Sequence, residues 1–172
     1  MRYLAPCIAV FATLLLGGCG GTLLQLPIQL PFTVSDFSTA TSSPAGFWHW
    51  DINQKADSEW SKYLGQIAGY DGVKATMHVI NAGPDQVTAD IYVSNNSGLS
   101  STQVIASGKK LMSVTIPAGE SNYDSGWQPL SQEAGQIMST AQFSLYAIGT
   151  PVELNITCTN VKLEGKFRVN VL

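Results

Sequence analysis

Charge is scarce in this sequence. Only 12% of its 172 residues are charged, and nine Lys and Arg stand against twelve Asp and Glu. The basic residues are scattered as Lys55, Lys62, Lys74, the pair Lys109-Lys110, then Lys162, Lys166 and Arg168. A protein that tracks phosphates needs a basic stripe, so the sequence predicts no nucleic-acid partner. The same scarcity argues against electrostatic docking on anionic lipid headgroups.

Catalytic groups are equally sparse. Only two histidines exist, His49 inside Phe47-Trp48-His49-Trp50 and His78 on the polar face of an alternating run. Neither opens a His-Glu-x-x-His pair, and a zinc site would need carboxylates converging from elsewhere. There is no Gly-x-Ser-x-Gly elbow and no Gly-rich phosphate loop ahead of a helix. The oxygen-rich stretches Asn95-Asn96-Ser97-Gly98 and Asn122-Tyr123-Asp124-Ser125 lack the spaced acidic series of a calcium loop and read as solvated turns. Asp57 and Glu59 read as favourable charge in a helix first turn. The expectation is no enzyme, no cofactor and no metal.

Three cysteines are too few for a disulfide framework. Cys7 lies in an apolar run and Cys19 at its end. Cys158 closes Val152-Glu153-Leu154-Asn155-Ile156-Thr157-Cys158, where alternation puts it on the face of Val152, Leu154 and Ile156. A buried thiol fits that pattern; a nucleophile or ligand would want a basic or histidine neighbour, and none is near in sequence.

What the sequence does have is a marked N-terminus. Arg2 precedes an apolar run from Leu4 to Leu16, which gives way to Gly17, Gly18, Cys19, Gly20 and Gly21. A bilayer core needs about 20 apolar residues, so this run is too short to span and reads as a cleavable secretory signal. Leu16-Gly17-Gly18-Cys19 resembles the lipobox of bacterial lipoproteins, an aliphatic residue and two small ones before the cysteine. The resemblance implies cleavage before Cys19, a diacylglycerol on its thiol, and acyl chains such as palmitate holding the chain to a membrane. Gly20, where an aspartate would mark inner-membrane retention, implies the outer membrane, facing the periplasm or the surface. Residues 1–18 are then signal peptide, 19–27 a lipidated tether and 28–172 one domain. Without Arg2 the balance is eight basic against twelve acidic residues, a net charge of −4.

Most of the remainder alternates with period two. Ile28 to Val34 is a candidate edge strand, because Pro31 has no amide hydrogen. Val73 to Ile80 and Val87 to Ser94 alternate cleanly around Asn81-Ala82-Gly83-Pro84-Asp85, which predicts a hairpin. Further strands are expected at Gln103 to Ser107, Leu111 to Ile116, Phe143 to Ala147, Val152 to Cys158 and Val161 to Val171. The parity change between Cys158 and Val161 predicts a bulge or turn at Thr159-Asn160, and Glu164-Gly165 is a second candidate turn. Trp60, Tyr63, Leu64 and Ile67 fall at helical spacing after Asp57, and Leu130, Ala134, Ile137 and Met138 suggest a second helix.

Roughly eight short strands separated by turn signals predict a mainly β antiparallel sandwich with one or two short helices. Met77 to Ser94, followed by Thr115-Ile116-Pro117-Ala118-Gly119, resembles exported immunoglobulin-like adhesion modules, which implies an immunoglobulin-like sandwich.

Two functions from different classes remain open. The first is a non-catalytic envelope lipoprotein that contacts another envelope protein, with the Pro31-bearing strand as a possible docking edge. The second is a carbohydrate-binding module. Trp48 and Trp50, at i and i+2, point to one face and would stack on a glycan if exposed, with Trp127 able to join them. The alternative for the same rings is a core anchor closing one end of the sandwich, with Phe47 and His49 outside.

Overall fold

A computed structural model describes residues 24–38, 46–150 and 155–171. The expected signal peptide, the expected lipidation site Cys19 and the expected strand residues Val152 to Leu154 lie outside the described residues. Two antiparallel sheets face each other. The first contains β1 (Leu24–Thr33), β2 (Phe37–Ser38), β4 (Ile67–Asn81), β7 (Gly119–Asp124) and β9 (Ile156–Val171). The second contains β3 (Phe47–Asn53), β5 (Val87–Ser94), β6 (Lys109–Ile116) and β8 (Gln142–Thr150). Among the described residues, three short helices lie between strands: α1 (Ser58–Ser61) between β3 and β4, α2 (Ser101–Ser107) between β5 and β6, and α3 (Gln132–Met138) between β7 and β8.

The expected mainly β sandwich is what the chain forms. Its winding, however, follows a jelly roll rather than an immunoglobulin-like order. The sheets run β1-β9-β4-β7 and β3-β8-β5-β6, with β2 added beside β9. Most consecutive strands therefore alternate between sheets. The expected hairpin of residues 73–80 and 87–94 is not formed, because β4 pairs with β7 and β9 while β5 pairs with β6 and β8. Asn81 to Asp85 turns a corner from one sheet to the other. Asn81 is buried there, its Nδ2 donating to the carbonyls of Asp85 (2.9 Å) and Pro117 (3.2 Å) and its Oδ1 accepting from the Gly83 amide (3.1 Å).

Three other local expectations change. Residues 103–107 are helical, because Ser100 and Gln103 form a reciprocal capping box at the start of α2. The helix around Trp60 is one turn long, capped by Asp57 Oδ1 on the amides of Glu59 (2.8 Å) and Trp60 (3.2 Å). Ile67 already belongs to β4, where it pairs with Val169. Glu164-Gly165 is no turn. β9 runs straight through it, and a Cβ at Gly165 would collide with the rings of Phe167 and Phe32. The predicted bulge does occur: between Thr159 and Lys162 one strand gains a residue on the other, with Asn160 at φ 53°.

β1 begins at Leu24, so four residues expected in the tether belong to the sheet. Among the described residues β1 pairs with β9 alone, which makes it an edge strand and suits its prolines. One part of the core is built around four buried aromatic rings, Phe32, Trp60, Phe143 and Phe167. Phe32 lies 4.8 Å from Trp60 and 5.0 Å from Phe143, and Trp60 lies 5.6 Å from Phe167, measured between ring centroids. Among the described residues, no helix is long and apolar enough to cross a membrane.

Candidate functional site: an apolar slot between the sheets

Another part of the core places several small side chains inward. Alternation brings Ala75 of β4 inward from the first sheet and Ala89 of β5 and Ala147 of β8 inward from the second, with Val114 and Met112 of β6 beside them. Large and small residues must interdigitate to fill a sandwich. Alanines contributed from both sheets leave a slot of about 90 Å³, counted as space open to the centre of a water-sized sphere. Its wall is almost wholly apolar, so water there would find no hydrogen-bond partners and the slot should stay dry.

The half-buried wall of the slot carries Val34, Phe37, Trp48, Trp50 and Val161. β3 alternates, so Trp48, Trp50 and the buried Ile52 share its inner face. The Phe37 ring, positioned where β2 pairs with β9, sits 5.0 Å from Trp50 and 6.3 Å from Trp48. Trp48 and Trp50 are thus brought together, facing the slot. Phe47 and His49 point to the outer face, where both stack on Tyr146 at 5.8 Å and 5.7 Å. Tyr146 is itself fully covered, its hydroxyl donating to the Asn96 carbonyl (2.7 Å) and accepting from the Leu99 amide (3.3 Å).

Trp127 is not part of this arrangement. It follows β7 on the first sheet, next to Gln128, whose backbone exchanges two 2.8 Å hydrogen bonds with Val73. Its ring lies over Gly72, with Lys166 Nζ 5.9 Å from the ring centre.

Cys158 lines the slot and is fully buried. Burial pushes its thiol up to about 12, with the nearby Asp36 carboxylate acting in the same direction. It is held as a neutral thiol, which suits a wall and not a nucleophile. His78 lies on the outer face of the first sheet, near Asn122 (3.1 Å) and Glu120 (3.3 Å), and His49 lies 3.6 Å from Asp51. No group of three His, Cys, Asp or Glu gathers among the described residues.

A second, open cleft of about 640 Å³ runs beside β3 and β8, where Asp51, Asn53, Asn95 and Gln142 supply polar atoms. Within it Asp51 Oδ1 already accepts from the Ser144 hydroxyl. The slot was not legible as a site in the sequence, since no motif marks alanines drawn from three separated strands. The one available signal was the inward pairing of Trp48 and Trp50.

No family model and no curated protein matches this chain. Among solved structures, it is similar to Desmodium yellow mottle tymovirus, 11% identical over 90% of this chain and 93% of that one, with a TM-score of 0.39. It is similar to dimeric latent PorU from Porphyromonas gingivalis, 10% identical over 90% of this chain but 14% of that one, at 0.44. Turnip yellow mosaic virus gives 9% identity over 88% of this chain and 82% of that one, at 0.34. These likenesses do not extend to function.

Proposed function

We propose that this chain is a lipid-anchored, non-catalytic envelope protein whose sandwich binds an apolar group, such as part of an alkyl chain, in the slot between its sheets. The observation that carries the reading is an apolar cavity of about 90 Å³, bordered by the half-buried rings of Phe37, Trp48 and Trp50. An empty apolar cavity costs about 24 cal/mol per Å³, so this one forgoes roughly 2 kcal/mol that a filled core would have. A ligand that supplies the missing contacts recovers that energy on binding.

The anchor itself rests on the Leu16-Gly17-Gly18-Cys19 lipobox resemblance. The apolar group would belong to another component of the envelope, which keeps the accessory role expected from the sequence. Strand addition at β1 draws less support, because Pro27 and Pro31 lack amide hydrogens and the Pro31 carbonyl is already occupied by Trp60. A glycan platform draws no support from tryptophans that face inward and a third that sits on the other sheet.

The test is tryptophan fluorescence titrated with 1-bromohexane, whose bromine quenches nearby indoles. Saturable quenching that is lost in Ala89→Val, a variant that narrows the slot, is the expected result. Quenching that rises linearly and is the same in the variant would mean collision at the surface and would overturn the reading.

A further inference from the structure

The inner face of the first sheet runs past the end of the sandwich. On β1 the residues Leu24, Leu26, Ile28, Leu30 and Phe32 share one face, and Leu30 and Phe32 are buried in the core. Leu24 and Leu26 continue that face but are 64% and 45% exposed. Val171, the direct partner of Leu24 on β9, is 39% exposed, although Val169 beside it is buried. Single exposed apolar residues are ordinary on a protein surface. Here three are cross-strand or i, i+2 neighbours on one face, forming a contiguous apolar tip. The opposite face at the same level is polar, with Gln25 paired to Asn170 and their side chains in contact at 3.4 Å.

We infer that this tip seats in the surface of the membrane to which Cys19 is attached; the inference rests on the lipid anchor proposed above. Five residue steps separate Cys19 from Leu24, which at full extension reach at most about 18 Å. The polar interface of a leaflet is about 5–8 Å thick, the difference between a hydrocarbon core of about 30 Å and a bilayer of about 40–45 Å shared by two sides. A diacylglycerol embedded in the leaflet therefore holds Leu24 close to the surface whatever path the chain takes. Of the large apolar side chains exposed on the domain, Leu24 and Leu26 are nearest to the anchor in the chain, and Val171 is brought beside them by pairing.

Seating the tip orients the domain. Ile67 pairs with Val169 near the tip, and Ile80 lies thirteen residues further along β4, about 40 Å away at a strand's rise. Phe37 pairs with Cys158, which pairs with Val79, so the aromatic wall of the slot belongs to the far end. The slot is held away from the anchoring membrane, toward whatever other envelope component approaches.

The experiment uses the lipidated protein in vesicles of phosphatidylcholine and phosphatidylglycerol. Leu24→Cys, Leu26→Cys and Ile80→Cys are each labelled with a polarity-sensitive fluorophore, all three positions being exposed enough to leave the fold intact. The expected result is a blue shift on vesicle binding at positions 24 and 26 and none at 80. Protein that sediments with the vesicles while labels at 24 and 26 stay in water would overturn the seating and leave the anchor standing. Protein that does not sediment with the vesicles, although its N-terminal peptide carries lipid by mass, would overturn both.

Discussion

The indole Nε1 of Trp60 donates a 2.8 Å hydrogen bond to the backbone carbonyl of Pro31, 29 residues earlier and on an edge strand. Pro31 has no amide hydrogen, and its carbonyl is turned off the ladder with β9 toward the free edge. One helical turn, capped by Asp57, brings the indole over it and buries the ring completely. The contact closes an edge that would otherwise offer acceptors to another strand.

Trp60→Phe separates this bond from the packing of the ring. It keeps an aromatic against Phe32 and Phe167 but leaves the Pro31 carbonyl without its donor, and should lower stability by about 1–3 kcal/mol. Trp60→Ala should cost about 3–5 kcal/mol, because a large cavity is added. Urea unfolding monitored by circular dichroism separates the two. No loss in Trp60→Phe would mean that the hydrogen bond contributes nothing.

Asn81 fastens the corner where the chain leaves one sheet for the other. Asn81→Ala strips partners from the carbonyls of Asp85 and Pro117 and from the Gly83 amide at once, with an expected cost of about 1–3 kcal/mol. Hydrogen exchange should quicken at Gly83 before it quickens in the centre of β4. Uniform exchange in the variant would contradict a local role for the corner.

That corner also shows how far the sequence could be read. Alternation placed the inner faces of β4, β5, β8 and β9 correctly, because burial on one face imposes period two. Turn chemistry at Asn81 to Asp85 is local, though, and cannot say whether the next strand returns beside the last or crosses to the other sheet. The pairing of β4 with β9, about eighty residues later, decides that. Residues 103–107 read as a strand, while the signal for α2 lies in Ser100 and Gln103, whose capping box starts it. The slot was hidden, since a cavity is a property of facing alanines and not of any one segment.

Acid should weaken the fold through two carboxylates. Asp124 accepts from the Gly126 amide (2.8 Å) and pairs with Lys74 (3.0 Å), which hold it below its ordinary value. Burial raises Asp90, but hydrogen bonds from Lys110 (2.8 Å) and Ser113 (2.7 Å) outweigh it and leave it lowered. A carboxylate depressed in the folded state stabilises it above the unfolded value, near 3.9, and that contribution is lost as pH falls through the folded value. The urea midpoint should hold from about pH 7 to 5 and drop below about pH 4. The double variant Asp90→Asn, Asp124→Asn should show a shallower drop; an unchanged profile would assign the acid limb to other groups.

Filling the slot should stabilise the protein while abolishing the proposed binding of an apolar group. Ala147→Val adds two methyl groups where space exists, and recovering part of the cavity cost predicts a gain of up to about 1–2 kcal/mol. A loss of more than about 1 kcal/mol would indicate overpacking, and so a core with no slot to fill. Thermal unfolding of the wild type and the variant, side by side, reads the sign.

The most direct measurement is a crystal of the protein soaked in 1-bromohexane and examined by the anomalous scattering of bromine. The account predicts a peak between the sheets, within contact of Ala147 and Cys158 and bordered by Trp50, which disappears in Ala147→Val. Bromine found only on the outer surface, or an interior peak indifferent to Ala147→Val, would contradict a binding slot.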